Sequence, residues 1–163
     1  MNQSSLDYWL ANVVGRWYWW FLVFWTIFPF LIWWKYTDRS RFLEISFFGV
    51  IVGIWAGILD TIGFNLGAWT YPYPSLPFMK NFFPIDYVVI PVVFMLVYQK
   101  YSQWKQFVLV STIVASFLSL ILDPIMAAVN IYQPLTWQYY YSVPVFVLLV
   151  STLILSKMAH IFV

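Results

Sequence analysis

Residues 42–62 of the chain read FLEISFFGVIVGIWAGILDTI. The stretch carries one acid near its start and one near its end, and everything between them is apolar, aromatic or small. A run of about 20 mostly apolar residues is long enough to cross the hydrocarbon core of a bilayer as a helix. We therefore interpret residues 42–62 as a membrane-spanning helix.

The rest of the 163-residue chain has the same character. It is 63% hydrophobic and 9% charged, against roughly 45–50% and about 25% in soluble domains. The length allows four to six helices, and the apolar runs favour five, since four further spans are predicted at about 17–34, 84–98, 106–126 and 141–158. The predicted fold class is all-α: a polytopic integral membrane helical bundle forming a single transmembrane domain over residues 1–163.

Two other segments have their own composition. Residues 1–16 place Leu6, Trp9, Leu10 and Val13 at helical spacing, which predicts an interfacial helix. Residues 63–83 are rich in Pro, Gly and aromatic residues and form a predicted loop between spans. The first apolar run lacks a small-x-small cleavage signature, so we expect a retained span and no signal peptide.

The loops differ in basic residues, which predicts the orientation. Loops on the cytoplasmic side of a membrane carry an excess of Lys and Arg. The predicted spans place six of these residues on one side (Lys35, Arg39, Arg41, Lys100, Lys105 and Lys157) and two on the other (Arg16 and Lys80). We expect a multi-pass plasma-membrane protein with its N-terminus and the 63–83 segment outside and its C-terminus in the cytoplasm.

Several kinds of chemistry are excluded or disfavoured. The basic residues are scattered, whereas binding to phosphate backbones needs a clustered basic face, so no nucleic-acid partner is expected. There is no Cys and a single His, His160, which leaves zinc without ligands. We expect neither a metal nor a cofactor, although Mg²⁺ on three carboxylates stays open as a minor alternative.

Three acids fall inside predicted spans. At about 1.5 Å per residue, Asp60 lies about 28 Å from Arg41, and Asp86 and Asp123 lie about 21 and 27 Å from the nearest basic residue of their own helices. All three therefore reach the outer third of the bilayer. Because an intramembrane carboxylate is costly, such residues usually face a bundle interior or a wet cavity. Asp60, Asp86 and Asp123 are the candidate catalytic residues of one site, although helix-end polar residues are an alternative.

Two helices carry stripes of small residues that continue into these acids. Small residues every fourth position let a neighbouring helix approach closely. The predicted helix-packing residues are Gly49, Gly53 and Gly57, which lead to Asp60, and Ser111, Ala115 and Ser119, which lead to Asp123.

Aromatic residues cluster in the predicted outer loops and at adjacent helix ends. We take five of them as candidate ligand-binding residues: Trp69, Tyr71, Tyr87, Trp137 and Tyr141. The ordinary alternative is an interfacial belt of Trp and Tyr at the headgroup level.

The stretch from Asp60 through Gly67, Trp69 and Tyr71 to Pro84 and Asp86 resembles the membrane-embedded lycopene cyclase domain of bacterial and fungal carotenoid synthesis. That family has an Asp at the end of one span, a Gly-x-Trp-x-Tyr motif nine residues on, and Pro-x-Glu-Glu at the start of the next span. The resemblance implies carboxyl groups that protonate a polyene and rings that stabilise a carbocation. Position 87 departs from it, with Tyr in place of the second Glu.

Over nearly its full length the chain also resembles a family of five-helix membrane proteins of spore-forming Gram-positive bacteria. The shared features are Gly-x-Trp-x-Tyr-Pro at 67–72, Pro91 with Met-Leu-Val-Tyr-Gln at 95–99, Asp123-Pro124, and Trp137 with Tyr141-Ser142 before Pro144. This resemblance implies a bacterial plasma membrane as the location, and it implies no activity.

Three functions follow from the residues. The first is an outer-leaflet pocket that binds membrane lipid, or an isoprenoid or other amphiphile, without catalysis. The second is carboxyl-catalysed chemistry on an isoprenoid, as a cyclase or isomerase, because burial and neighbouring charges can keep a carboxyl group protonated. The third is an accessory subunit whose small-residue faces dock a membrane protein partner or a second copy of the chain.

Overall fold

The computed structural model describes residues 3–148, except residues 78, 80 and 102. These residues form helices and two short strands, so the all-α prediction is confirmed. The helices are α1 (Gln3–Asn12), α2 (Trp17–Tyr36), α3 (Phe42–Asn65), α4 (Ile90–Lys100), α5 (Trp104–Phe117), α6 (Asp123–Ala128) and α7 (Tyr139–Leu148). The strands are β1 (Trp69–Thr70) and β2 (Gln133–Pro134).

Two of these helices are extended by π-helical turns. The turn Ile85–Val89 runs directly into α4, and the turn Leu118–Leu122 joins α5 to α6. Among the described residues, three continuous helical stretches are long and apolar enough to cross a membrane: Trp17–Tyr36, Arg39–Asn65 and Trp104–Ala128. They cover the predicted spans at 17–34, 42–62 and 106–126. The predicted 141–158 span lies outside the described residues beyond Leu148, as do Lys157 and His160.

Helix α4 lies at the centre of the bundle. Almost every residue from Val88 to Tyr98 is buried, and Phe94 is completely enclosed. Helices α2, α3 and α5 pack around α4. Large apolar side chains such as Leu43, Phe47 and Leu109 are exposed on α3 and α5. An apolar outer surface around a buried helix is the arrangement expected when lipid is the solvent.

The glycine stripe of α3 packs against the α4 segment. Gly49, Gly53 and Gly57 are all buried. A Cβ atom at Gly53 would lie 3.2 Å from the ring of Pro91, and one at Gly49 or Gly57 would overlap the side chain of Met95 or Tyr87. Glycine is therefore what lets α3 lie directly against the α4 segment.

The two longer loops meet at one end of the bundle. Strand β1 pairs antiparallel with β2, with Trp69 opposite Pro134 and Thr70 opposite Gln133. The Ala68 carbonyl accepts hydrogen bonds from the backbone N–H groups of residues 135–137, at 2.9 to 3.3 Å. We call this paired structure the outer cap, because the asymmetry of Lys and Arg between the loops predicts that this end faces outward. Helix α1 joins this end, because the indole N–H of Trp9 donates to the Pro74 carbonyl at 3.1 Å.

The opposite end is held by polar contacts. The Asp38 N–H donates to the side-chain carbonyl of Gln99 at 3.1 Å, and the Gln99 amide donates to the Tyr36 carbonyl at 2.9 Å. Arg41 forms a salt bridge of 3.0 Å with Glu44, which also accepts a hydrogen bond from the Tyr98 hydroxyl. This end contains the short basic loops of the described chain.

Candidate functional site

Asp60 is the most fully hydrogen-bonded acid of the outer half. Its Oδ1 accepts a hydrogen bond of 2.8 Å from the indole N–H of Trp69 and another from the hydroxyl of Tyr71, and its Oδ2 accepts one of 3.3 Å from the Phe82 N–H. Gly67 makes this possible, because its φ of +70° turns the chain back over the end of α3. Residues 69 and 71 then lie on one side of an extended segment.

The Tyr71 hydroxyl remains a donor under ordinary conditions. Burial, followed by the charges of Asp86 and Asp60, raises the pKa of Tyr71 well above its usual value. A phenol that keeps its proton donates to Asp60 instead of repelling it. The D-x8-W-x-Y spacing therefore produces a carboxyl group fixed by three donors.

Asp86 faces Asp60 but has fewer partners. The two carboxyl groups line the same cavity and are close enough to interact electrostatically. Asp86 is 6% exposed, and its Oδ2 receives no N–H or hydroxyl donor from the described residues. A buried polar atom without a donor is uncommon in folded proteins and requires an explanation.

The π turns place Asp86 and Asp123 in the outer half of the bundle. In each turn the last N–H reaches back five residues, from Ile90 to the Ile85 carbonyl and from Asp123 to the Leu118 carbonyl. A proline, Pro91 or Pro124, follows directly and has no N–H to donate to the carbonyl four residues earlier. Asp86 lies within the first turn and Asp123 directly after the second. Such turns occur frequently at functional sites.

All three acids line one cavity of about 260 Å³. The cavity lies between the outer end of α3, the two π turns and α7, beneath the outer cap. Trp69, Tyr71 and Trp137 also line it, so the structure brings six of the predicted site residues together. No Lys or Arg is among the described lining residues.

Aromatic rings form the wall of this cavity next to the acids. The rings of Trp69 and Trp137 meet edge to face at 5.3 Å, and Trp137 is held by a 2.9 Å hydrogen bond from its indole N–H to the Ser142 hydroxyl. Tyr132 lies 5.9 Å from Tyr71 and 6.5 Å from Trp69, between ring centroids. The wall therefore places several aromatic rings near the carboxyl groups.

Two of the predicted ligand-binding rings lie outside the cavity. The ring of Tyr87 packs against Phe83 at 5.5 Å and lies over Gly57, on the other side of the π turn. Tyr141 packs on the far edge of Trp137 at 5.4 Å and is 43% exposed. Their positions suit packing better than ligand contact.

The small-residue row of α5 is buried as well. Ser111, Ala115 and Ser119 are each at most 2% exposed. The hydroxyls of Ser111 and Ser119 have no partner among the described residues, whereas Thr112 and Ser116 donate to the carbonyl one turn earlier. This row faces the interior, and Asp123 continues it toward the cavity.

The sequence interpretation missed Tyr132 and the Phe82 N–H. Tyr132 belongs to the aromatic loop before Tyr140, and only the pairing of β1 with β2 brings it to Trp69. A strand of two residues has no periodicity to recognise. The Phe82 contact is made by a backbone group, which no side-chain motif could reveal.

Within the part of the chain that the structure describes, no group of three His, Cys, Asp or Glu residues is arranged to hold a metal ion. No protein-family model, curated protein or solved structure matches the chain.

Proposed function

We propose that this chain is a five-span bacterial plasma-membrane protein that binds an isoprenoid, a lipid or another amphiphile in the cavity beneath the outer cap. In this arrangement the N-terminus and outer cap face outward, and α4 and α7 belong to the third and fifth spans. The three long apolar helices support a membrane location. The depth of the acids supports a site in the outer leaflet.

The observation that carries the proposal is the free Asp86 Oδ2 beside an apolar space. Leaving a buried polar group without a hydrogen bond costs about 1–3 kcal/mol, and more for a charged group. A ligand whose polar end donates to this oxygen would remove that cost while its apolar part fills the rest of the cavity. This gives a reason for both features in one site.

The size and opening of the cavity limit how such a ligand is held. Drug-sized pockets span about 300–1,000 Å³, so about 260 Å³ accommodates the polar end and the first part of a chain. Ile62 and Leu66 line the cavity and are 49% and 78% exposed. They mark a side opening through which an apolar tail would continue into the bilayer.

The test is to fill the cavity. Val145 of α7 lines it, and Val147 on the same helix does not. We expect wild-type protein purified in an uncharged detergent to retain a specific amphiphile that mass spectrometry detects. Val145→Phe should lose that species and Val147→Phe should keep it. Equal retention by both variants, or only bulk lipid on the wild type, would refute the proposal.

A second candidate is acid catalysis, favoured by the closeness of Asp60 and Asp86 in the cavity lining. Two neighbouring carboxyl groups can hold one proton between them. Transfer of that proton to a carbon–carbon double bond breaks the O–H bond, forms a C–H bond and leaves a carbocation near the aromatic wall. Loss of a different proton to the carboxylate completes an isomerisation or ring closure without any change in mass or oxidation state.

Catalysis and binding give different results with one variant. If the chain is an enzyme, Asp86→Asn should still retain the ligand but stop conversion of a supplied polyene into an isomer of equal mass, separated by chromatography. If wild-type protein retains the polyene unchanged, binding alone is supported.

A further inference from the structure

We propose that the polar end of the ligand is a protonated amine, so that the cavity selects alkylammonium amphiphiles over alcohols and over anionic lipids. This inference rests on the proposed function and deepens it, since it concerns the chemistry of the ligand in the same cavity.

The charge of the lining is one-sided. Asp60, Asp86 and Asp123 line the cavity, and the described lining residues include no Lys or Arg. A phosphate or carboxylate would therefore meet like charges without a counter-ion in a low-dielectric space, where repulsion is strong. A cation would instead meet carboxyl groups as its counter-charges, without a competing basic side chain among these residues.

The hydrogen bonds around Asp60 leave one buried acceptor of the lining without a donor. The three donors near Asp60, from Trp69, Tyr71 and Phe82, are already used by that carboxyl group. Asp86 Oδ2, a buried acceptor of the lining, receives none of these donors. A ligand with an N–H or O–H donor satisfies it, and an ammonium N–H makes the stronger, charge-assisted bond to a carboxylate.

The rings complete the match. Trp69, Tyr71, Tyr132 and Trp137 all line the cavity, and their centroids lie 5.3 to 6.5 Å from those of their neighbours. Cations are attracted to the faces of such rings when they lie within about 6 Å of the centroid, and aromatic cages are used to bind ammonium groups. A neutral alcohol gains little from them.

The experiment compares four probes with the same twelve-carbon chain: dodecylamine, dodecyltrimethylammonium, dodecanol and dodecanoate. Apparent Kd values are measured for the wild-type chain by native mass spectrometry from an uncharged detergent at neutral pH, with Val145→Phe as the background. We expect dodecylamine to bind roughly tenfold more tightly than dodecanol, because a charge-assisted hydrogen bond replaces a neutral one. Dodecanoate should not bind above background.

Four outcomes overturn parts of this assignment, and they differ from failure of the proposed function. Dodecanol binding as tightly as dodecylamine overturns the requirement for a cation, and tight binding of dodecanoate overturns the argument from charge. If dodecyltrimethylammonium binds as tightly as dodecylamine, the proposed N–H bond to Asp86 is overturned. If a folded Asp86→Asn variant keeps the full preference for dodecylamine, Asp86 is not the partner. If no probe exceeds the Val145→Phe background, the proposed cavity function itself fails.

Discussion

Asp60 shows how one residue organises the outer end of the chain. Its three donors come from β1, from the segment after β1 and from the residues before the first π turn. Each donor fixes a different stretch of the 66–83 loop to the end of α3. The carboxyl group is thus a folding anchor and at the same time part of the cavity wall.

Tyr71→Phe tests this anchor. The change removes one hydroxyl donor from a buried carboxyl group, and hydrogen bonds to charged groups contribute about 1.5–3 kcal/mol. We expect the free energy of unfolding in detergent to fall by about that amount, measured by denaturant titration. Tyr87→Phe is the control, because the Tyr87 hydroxyl makes no hydrogen bond with the described residues and its loss should have a much smaller effect. Equal stability of both variants would contradict the anchor.

The glycine stripe determines how closely α3 packs against the α4 segment. Gly53 lies against the rigid ring of Pro91, so a larger side chain there must separate α3 from the α4 segment. Gly53→Leu should lower the unfolding free energy by about 1–3 kcal/mol or more, the usual range for overpacking. Val50→Leu on the exposed face of the same helix should leave the melting temperature nearly unchanged. A tolerated Gly53→Leu would disprove this close packing.

The outer cap can be tested by cross-linking, since the chain has no Cys of its own. Thr70 and Gln133 are directly opposite in the β1–β2 pair, where Cα atoms lie about 4.5–5.5 Å apart. The double variant Thr70→Cys, Gln133→Cys should form a disulfide under mild oxidation, seen as a mobility shift on a gel. Thr70→Cys with Leu135→Cys should not, because positions offset by two residues exceed disulfide reach. Faster cross-linking of the offset pair would show a different register.

The sequence predicts the long elements of this fold well and their connections poorly. Apolar length and polar loops place α2, α3 and the α5–α6 stretch within a few residues, because a membrane span needs a long, uninterrupted signal. The predicted depth of the acids in the bilayer, and the helix face that the glycines share with Asp60, also predict that Asp60 and Asp86 lie in one site. The β1–β2 pair and the cavity position of Tyr132 depend on a contact between two loops 63 residues apart (133 − 70 = 63), which leaves no local pattern. Tyr87 lies outside the cavity although it follows Asp86 directly, since one residue along a helix changes the face.

The two ends of the helical bundle differ in charge and structure. The basic loops lie at the end joined by Asp38 and Gln99, and the outer cap lies at the other. Single cysteines at the exposed positions Ser40 and Gln138 should therefore react from opposite sides of the membrane in intact cells. We expect a membrane-impermeant maleimide to label Gln138→Cys in intact cells and Ser40→Cys only after lysis. Labelling of both in intact cells would refute the proposed orientation.

The enclosed position of α4 also bears on how the chain is assembled. With its π turn, this segment comprises five and eleven residues and carries Asp86, so it is a weak candidate for entering a bilayer unaided. Helices α2 and α3 precede it in the chain, so the glycine groove that receives it is already synthesised when it emerges. In the proposed five-span arrangement, α4 therefore depends on α2 and α3, which are synthesised before it, for a stable position in the bundle. Blocking that groove should interrupt biogenesis at this point, leaving the chain after residue 84 on the wrong side of the membrane.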